Sequence, residues 1–258
     1  MKKSIASLAF IALILACPVT QAESSKATVV LVHGAFADAS SWDGVIRILQ
    51  KDGYRVIASA NPLRGVKGDA TVVSDILATL PPPVVLVGHS YGGSVISEAA
   101  NGHENVKALV YVAAFAPELG ENAIGLSGKF PGSTLGPTLA PPVPLASGDK
   151  DLYIDQGKFH AQFAADVSAM DANVMAATQR PITEAALNEL STQPAWKDIP
   201  AWFIYGDQDK NIPPQALAFM AERAKSRQTI VVKGASHVVM VSNPAKVARL
   251  IESAANAH

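Results

Sequence analysis

The sequence predicts an α/β protein, a mostly parallel central sheet flanked by helices, with a helical cap inserted between two core strands. Three observations point there. Short β-branched runs alternate with stretches whose apolar residues recur at helical spacing. The run Val84–Val87 passes through Gly88-His89-Ser90-Tyr91-Gly92 directly into helical spacing. Between about Pro117 and Pro200 no core strand is signalled, a gap too long for a plain connection.

The elements follow in order. Thr28–Val32 reads as a buried strand. Ser41–Asp52 carries Trp42, Val45, Ile46 and Leu49 on one helical face, and Tyr54–Ala58 is the next strand. Asp69–Leu80 is helical, with Val72, Val73, Ile76, Leu77 and Leu80 apolar, and Pro81-Pro82-Pro83 stops it. A helix runs from Ser94 through Ile96, Ala99 and Ala100, and Val106–Ala113 is a strand. Gly120–Gly148, rich in Gly, Pro and Ser, reads as a long loop, and Lys158–Met175 and Thr183–Leu190 as helices. Trp202–Tyr205 and Thr229–Val232 supply the last strands. The expected organisation is a signal peptide at 1–22, a core at 23–116 and 201–258, and a cap at 117–200.

The N-terminus reads like an export signal. Lys2-Lys3 precedes an apolar stretch, Ile5–Ala16, too short to span a bilayer comfortably, and Thr20-Gln21-Ala22 offers a cleavage site after Ala22. The expectation is an exported protein, periplasmic or secreted, with no stable membrane association after cleavage. Ile14-Leu15-Ala16-Cys17 is a lesser alternative as a lipoprotein box, against which Pro18 argues. Cys17 is the only cysteine, so the mature chain has no disulfide and no thiolate nucleophile. A net charge of −1 gives no electrostatic case for nucleic acid, and 49% hydrophobic against 17% charged residues excludes a disordered chain. The scattered histidines show no ligand spacing, and Gly88–Gly93 is not a dinucleotide fingerprint, so neither metal nor cofactor is expected. Oligomeric state has no signal in the sequence.

Gly88-His89-Ser90-Tyr91-Gly92, between strand and helix, has the form of a nucleophile elbow: the serine is lifted from the sheet edge at a helix N-terminus. Read otherwise, it is a glycine-rich turn whose serine caps a helix. A serine hydroxyl needs a base and an orienter. His237, in Gly234-Ala235-Ser236-His237 just past the last strand, is the base. His33 and His89 read as structural or wall residues, His103 lies in a polar turn, His160 on a cap helix is placed to face a pocket, and His258 ends the chain. The acid comes from Gly206-Asp207-Gln208-Asp209-Lys210-Asn211-Ile212-Pro213, where G-x-x-D-x-x-I-P spacing selects Asp209 and leaves Asp207 as a turn residue; Glu118 is a remote third choice. The backbone N–H groups of Tyr91 and Ala35 are the candidate oxyanion donors, with Phe36 the alternative to Ala35. Phe36, Phe115, His160 and Met240 are the candidate substrate-binding residues; Tyr91, Phe159, Phe163 and Met175 are further apolar candidates for a pocket wall, each equally readable as core.

His33-Gly34-Ala35, Gly88–Gly93, Tyr111–Pro117 and Gly234–His237 together resemble the α/β-hydrolase-fold serine hydrolases, closest to the branch of plant methyl esterases and hydroxynitrile lyases. The resemblance runs through essentially all of 27–255 and is weakest in the cap. It implies a cofactor-free enzyme with Ser90, Asp209 and His237 as triad and Ala35 and Tyr91 as oxyanion donors. The lyases of that branch place a lysine beside the catalytic histidine and a hydroxyl in the oxyanion loop; here stand Val238 and Ala35. The reading is a hydrolase of a small carboxylic ester or lactone acting through an acyl-enzyme. Perhydrolase (haloperoxidase-like), C–C hydrolase or lyase chemistry on the same residues is the alternative, and a non-catalytic binding protein the third. An apolar pocket would favour short-chain or aryl esters over charged ones.

Overall fold

Continuous apolar runs make strands that are buried on both faces, and such strands belong in the middle of a parallel sheet covered by helices. The computed structural model, which describes residues 26–257, has this arrangement. The expected signal segment with Cys17, and His258, lie outside the described residues. In chain order the first half comprises β1 (Thr28–Val32), α1 (Asp43–Lys51), β2 (Arg55–Ser59), α2 (Val66–Ala78), β3 (Val84–His89), α3 (Tyr91–Ala99) and β4 (Val106–Val112). The chain then leaves the sheet for α4 (Ala123–Gly128), β5 (Val143–Pro144), β6 (Lys150–Leu152), α5 (Gln156–Phe163), α6 (Ala169–Thr178), β7 (Ile182–Thr183) and α7 (Glu184–Asn188). It returns in β8 (Ala201–Gly206), α8 (Pro214–Arg223), β9 (Gln228–Val232), α9 (Val239–Ser242) and α10 (Pro244–Asn256).

The main sheet has the order β2-β1-β3-β4-β8-β9 with every pairing parallel. β1, β3 and β8 are buried along their whole length, whereas the edge strands β2 and β9 are exposed or half-buried up to their last residue. Strand order reverses between β1 and β3, opening a crevice at their C-terminal ends where α/β sheets bind ligands. β5, β6 and β7 form a separate small antiparallel sheet inside the excursion.

Several boundaries differ from the sequence expectation for identifiable reasons. Residues 39–42 form a 3₁₀ turn before α1, because the Asp38 side chain accepts from the Ser40 N–H and caps it. Val72 faces solvent while Val73 and Leu77 are fully buried. The expected single helix over 158–175 is two: α5 ends at Phe163, and Ser168 starts α6 by accepting the Asp171 N–H. Within the expected loop 120–148, Asn122 caps α4 by accepting from the Gly125 N–H. The spacing argument names no helix in 213–258, yet α8 starts on Pro214 and α10 buries Val247, Leu250 and Ile251.

Candidate active site

All the backbone turns singled out in the sequence lie at the C-terminal ends of neighbouring parallel strands. Ser90 follows β3 with φ 52° and ψ −123°, outside the allowed regions of an ordinary residue, and α3 begins at the next position. The residues after β1 abut it: a Cβ on Gly34 would lie 2.6 Å from the Ser90 Cβ, so only glycine lets that loop approach.

His33, one residue earlier, braces this loop. Its Nδ1–H donates to the Gly34 carbonyl (2.9 Å), and its Nε2 accepts from the Asn61 N–H (3.1 Å). Burial lowers its pKa, keeping the ring neutral in this role. Phe36, at φ 60°, donates its N–H to the Arg180 carbonyl (2.9 Å). Of the two donors weighed for this loop, Phe36 is therefore engaged, while the Ala35 N–H meets no protein acceptor among the described residues. Tyr91 is the first residue of α3, where the N–H has no intrahelical partner and the helix dipole is positive.

The loops after β8 and β9 meet on the other side. His237 and Asp209 are both buried, and the His237 Nδ1–H donates to Asp209 Oδ2 at 2.7 Å. Asp209 Oδ1 accepts from the Asn211 (2.8 Å) and Ile212 (3.0 Å) N–H groups, an Asx turn that aims the carboxylate. His237 Nε2 is buried without a hydrogen-bond partner. The two loops touch so closely that a Cβ on Gly206 would sit 2.0 Å from the Ala235 carbonyl oxygen. Asp207 ties them as well, accepting the Gly234 N–H at 2.6 Å. Glu118 instead pairs with Lys197 at the surface.

His89, fully buried, donates its Nε2–H to the His237 carbonyl (3.2 Å), and its ring centroid lies 4.8 Å from that of His237. Burial first, and the neighbouring imidazole second, hold its pKa well below the usual histidine value. It is a neutral strut under the histidine loop.

A cavity of about 460 Å³ opens at Ser90. Ala35, Phe36, Tyr91 and Phe115 line its floor, and Ile124, Leu135, Leu139, Leu152 and Leu187 from the excursion line its walls. Glu184 is the one charged side chain in that lining among the described residues. Two of the sequence candidates do not reach it. His160 turns back on its own chain and donates Nε2–H to the Val167 carbonyl at 2.9 Å, a contact made possible by the break between α5 and α6. Met240 is fully buried in α9 and packs in the core. Phe159 and Phe163 are also core, with the Phe163 ring 5.1 Å from His237, and Met175 lines a separate cleft behind Phe36. No group of three or more His, Cys, Asp or Glu side chains converges as a metal site among the described residues.

Two polar ties went unread in the sequence. Gln162 of α5, almost fully buried, donates to Asn211 Oδ1 (2.7 Å) and the Lys210 carbonyl (3.0 Å) and accepts from Thr134 Oγ1 (2.8 Å). Ser236, beside the histidine, donates to Asp166. Both join the excursion to the loops after β8 and β9. Nothing in the local sequence marks Gln162, because its partner is 49 positions away.

The comparisons with known proteins agree with this fold. The model of the alpha/beta hydrolase family matches residues 29–250. The chain belongs to that family. Its relatives include a pyrethroid hydrolase of Sphingobium wenxiniae, 27% identical over 89% of this chain and 88% of that protein. Methylesterase 8 of Arabidopsis thaliana is 24% identical over 92% of this chain and 93% of that protein. Among solved structures, polyneuridine aldehyde esterase superposes with a TM-score of 0.77 over 88% of this chain and 98% of its own, at 18% identity, and so shares the fold.

Proposed function

We propose that this α/β hydrolase cleaves a neutral, largely apolar carboxylic ester or lactone through an acyl-enzyme on Ser90. The observation that carries the reading is the histidine: His237 commits Nδ1 to a buried, doubly hydrogen-bonded Asp209 and leaves Nε2 without a hydrogen-bond partner, while the strained Ser90 lines an apolar cavity. With Nδ1–H held by Asp209, Nε2 carries the lone pair and is the basic nitrogen. Ser90 Oγ attacks the ester carbonyl and its proton passes to Nε2. The carbonyl oxygen, now negative, takes the N–H groups of Ala35 and Tyr91. The C–O bond to the alcohol breaks as His237 returns the proton to it, and water repeats the steps in reverse to free the acid.

The cavity supports the substrate class. Its walls are aliphatic and aromatic, and Glu184, its one charged lining residue among the described residues, is already paired with Lys150 at 3.4 Å. The names of the relatives, a pyrethroid hydrolase and a methylesterase, agree with ester chemistry. The test is hydrolysis of p-nitrophenyl esters from acetate to decanoate by wild type and Ser90→Ala. Turnover that vanishes in Ser90→Ala is the expected result. Absence of turnover by folded wild type would shift the assignment to perhydrolase or C–C chemistry, read next as peroxide-dependent halogenation.

A further inference from the structure

One buried ionisable pair close to the nucleophile has no part in the steps above. Asp69, in the first turn of α2, and Tyr91, the first residue of α3, are each 1% exposed. The Tyr91 hydroxyl donates to Asp69 Oδ2 at 2.9 Å. Asp69 Oδ1 accepts the Arg64 N–H at 3.2 Å, which binds the carboxylate to the loop before α2. That loop is itself held to the excursion: the Arg64 guanidinium pairs with Asp151 of β6, and the Thr183 N–H donates to the Leu63 carbonyl at 3.1 Å.

We propose that Asp69 is a positioning residue which, through the Tyr91 hydroxyl, fixes the Tyr91 backbone N–H as an oxyanion donor. The inference rests on Ser90 being the nucleophile. An N–H at the first helical position has no intrahelical bond to hold it, so its direction depends on how its own residue is anchored. An oxyanion donor is effective only when it is preorganised, and small displacements are expensive in rate. A buried carboxylate is a costly anchor compared with an apolar side chain, but it sets a direction where apolar packing sets only a volume. Burial raises the pKa of both groups, so the phenol keeps its proton and stays a donor.

The test uses two independent readouts on wild type, Asp69→Ala, Asp69→Asn, Tyr91→Phe and the double variant Asp69→Ala/Tyr91→Phe. One is kcat and KM for p-nitrophenyl acetate. The other is the rate at which diethyl p-nitrophenyl phosphate modifies Ser90, followed by mass spectrometry. In that reaction Ser90 Oγ bonds to phosphorus, p-nitrophenolate leaves, and the phosphoryl oxygen takes the place of the oxyanion. Asp69→Ala and Tyr91→Phe should each lower kcat and the phosphorylation rate about tenfold, less than the roughly hundredfold of losing a donor outright, with KM little changed. Asp69→Asn keeps an oxygen for the phenol but turns its amide donor toward the Arg64 N–H, so its rate should fall between those of wild type and Asp69→Ala, and the double variant should be no slower than either single one. Tyr91→Phe keeps the ring in place, so it decides the matter even if Asp69→Ala misfolds. Wild-type rates in Tyr91→Phe, or additive losses in the double variant, overturn the proposal. Wild type whose Ser90 resists modification overturns the nucleophile reading instead.

Discussion

The two halves of the site are built differently. On the sheet side, Gly34–Phe36, Ser90–Tyr91, Asp209 and His237 sit on strand ends, and their positions follow from backbone geometry: a strained serine, an Asx turn, glycines at close approach. On the excursion side, the cavity walls come from short helices and a small sheet, and what locates them is contact with residues distant in the chain, by side chains (Gln162 on Asn211, Ser236 on Asp166, Arg64 on Asp151) and by backbone bonds such as Phe36 to Arg180 and Thr183 to Leu63. Backbone-built parts set the chemistry, and contact-built parts set what the chemistry is applied to. Substitutions on the two sides should therefore fail in different ways.

The largest effect belongs to the sheet side. Asp209→Asn keeps the shape but reverses the tautomer of His237, and kcat should fall about 10⁴-fold with the thermal midpoint little altered. A loss under tenfold would show that the Asp209–His237 bond is not part of the chemistry. Next comes a change on the excursion side that should spare kcat for small substrates. Leu187→Trp narrows the cavity, and kcat/KM for p-nitrophenyl decanoate should fall at least about tenfold more than for the acetate, the discrimination worth about one methylene. An unaltered chain-length profile would remove Leu187 from the substrate path.

A substitution at the joint between the halves tests the comparison directly. Gln162→Leu leaves Asn211 Oδ1 without its donor and Thr134 Oγ1 without its acceptor, while the Lys210 carbonyl keeps the Thr134 N–H, at a cost of about 1–3 kcal/mol in urea unfolding. It should also lower kcat several-fold by loosening the turn that aims Asp209. Reduced stability with full kcat would mean that the tie serves folding alone.

The smallest effect is a pH slope in stability. His33 and His89 have folded-state pKa values below the unfolded value of about 6.5. The unfolded chain therefore binds protons first as pH falls. The stability these rings contribute is complete above about pH 6.5 and is lost as pH drops below it, at up to about 1.4 kcal/mol per pH unit for each ring. His89→Gln, which keeps a donor toward the His237 carbonyl, should flatten the fall in thermal midpoint between pH 7 and 5. An unchanged slope would assign the acid sensitivity elsewhere.

Most of the sheet side was legible in the residues themselves. Buried parallel strands advertise themselves as unbroken apolar runs, and Gly88–Gly93 and Gly206–Pro213 carry glycine and Asx signals that act within a few positions. The excursion was not legible in the same way. A single helix over 158–175 fits the hydrophobic spacing, but the Ser168 cap breaks it, and the break turns His160 onto Val167 and away from the cavity. Asp69 reads locally as an acidic residue suited to a helix start, and nothing nearby hints at the tyrosine 22 positions on that it holds.

By itself the sequence determined the strand alternation and the tight strand-to-helix turn that strains Ser90, because these depend on local backbone energetics. The tertiary structure alone decided which N–H of the Ala35–Phe36 pair is free, which aromatic and sulfur side chains face the cavity, and which buried polar groups meet. Those outcomes depend on contacts between residues far apart in the chain, such as Phe36 with Arg180, Gln162 with Asn211 and Asp69 with Tyr91, and no local pattern encodes a partner at that distance.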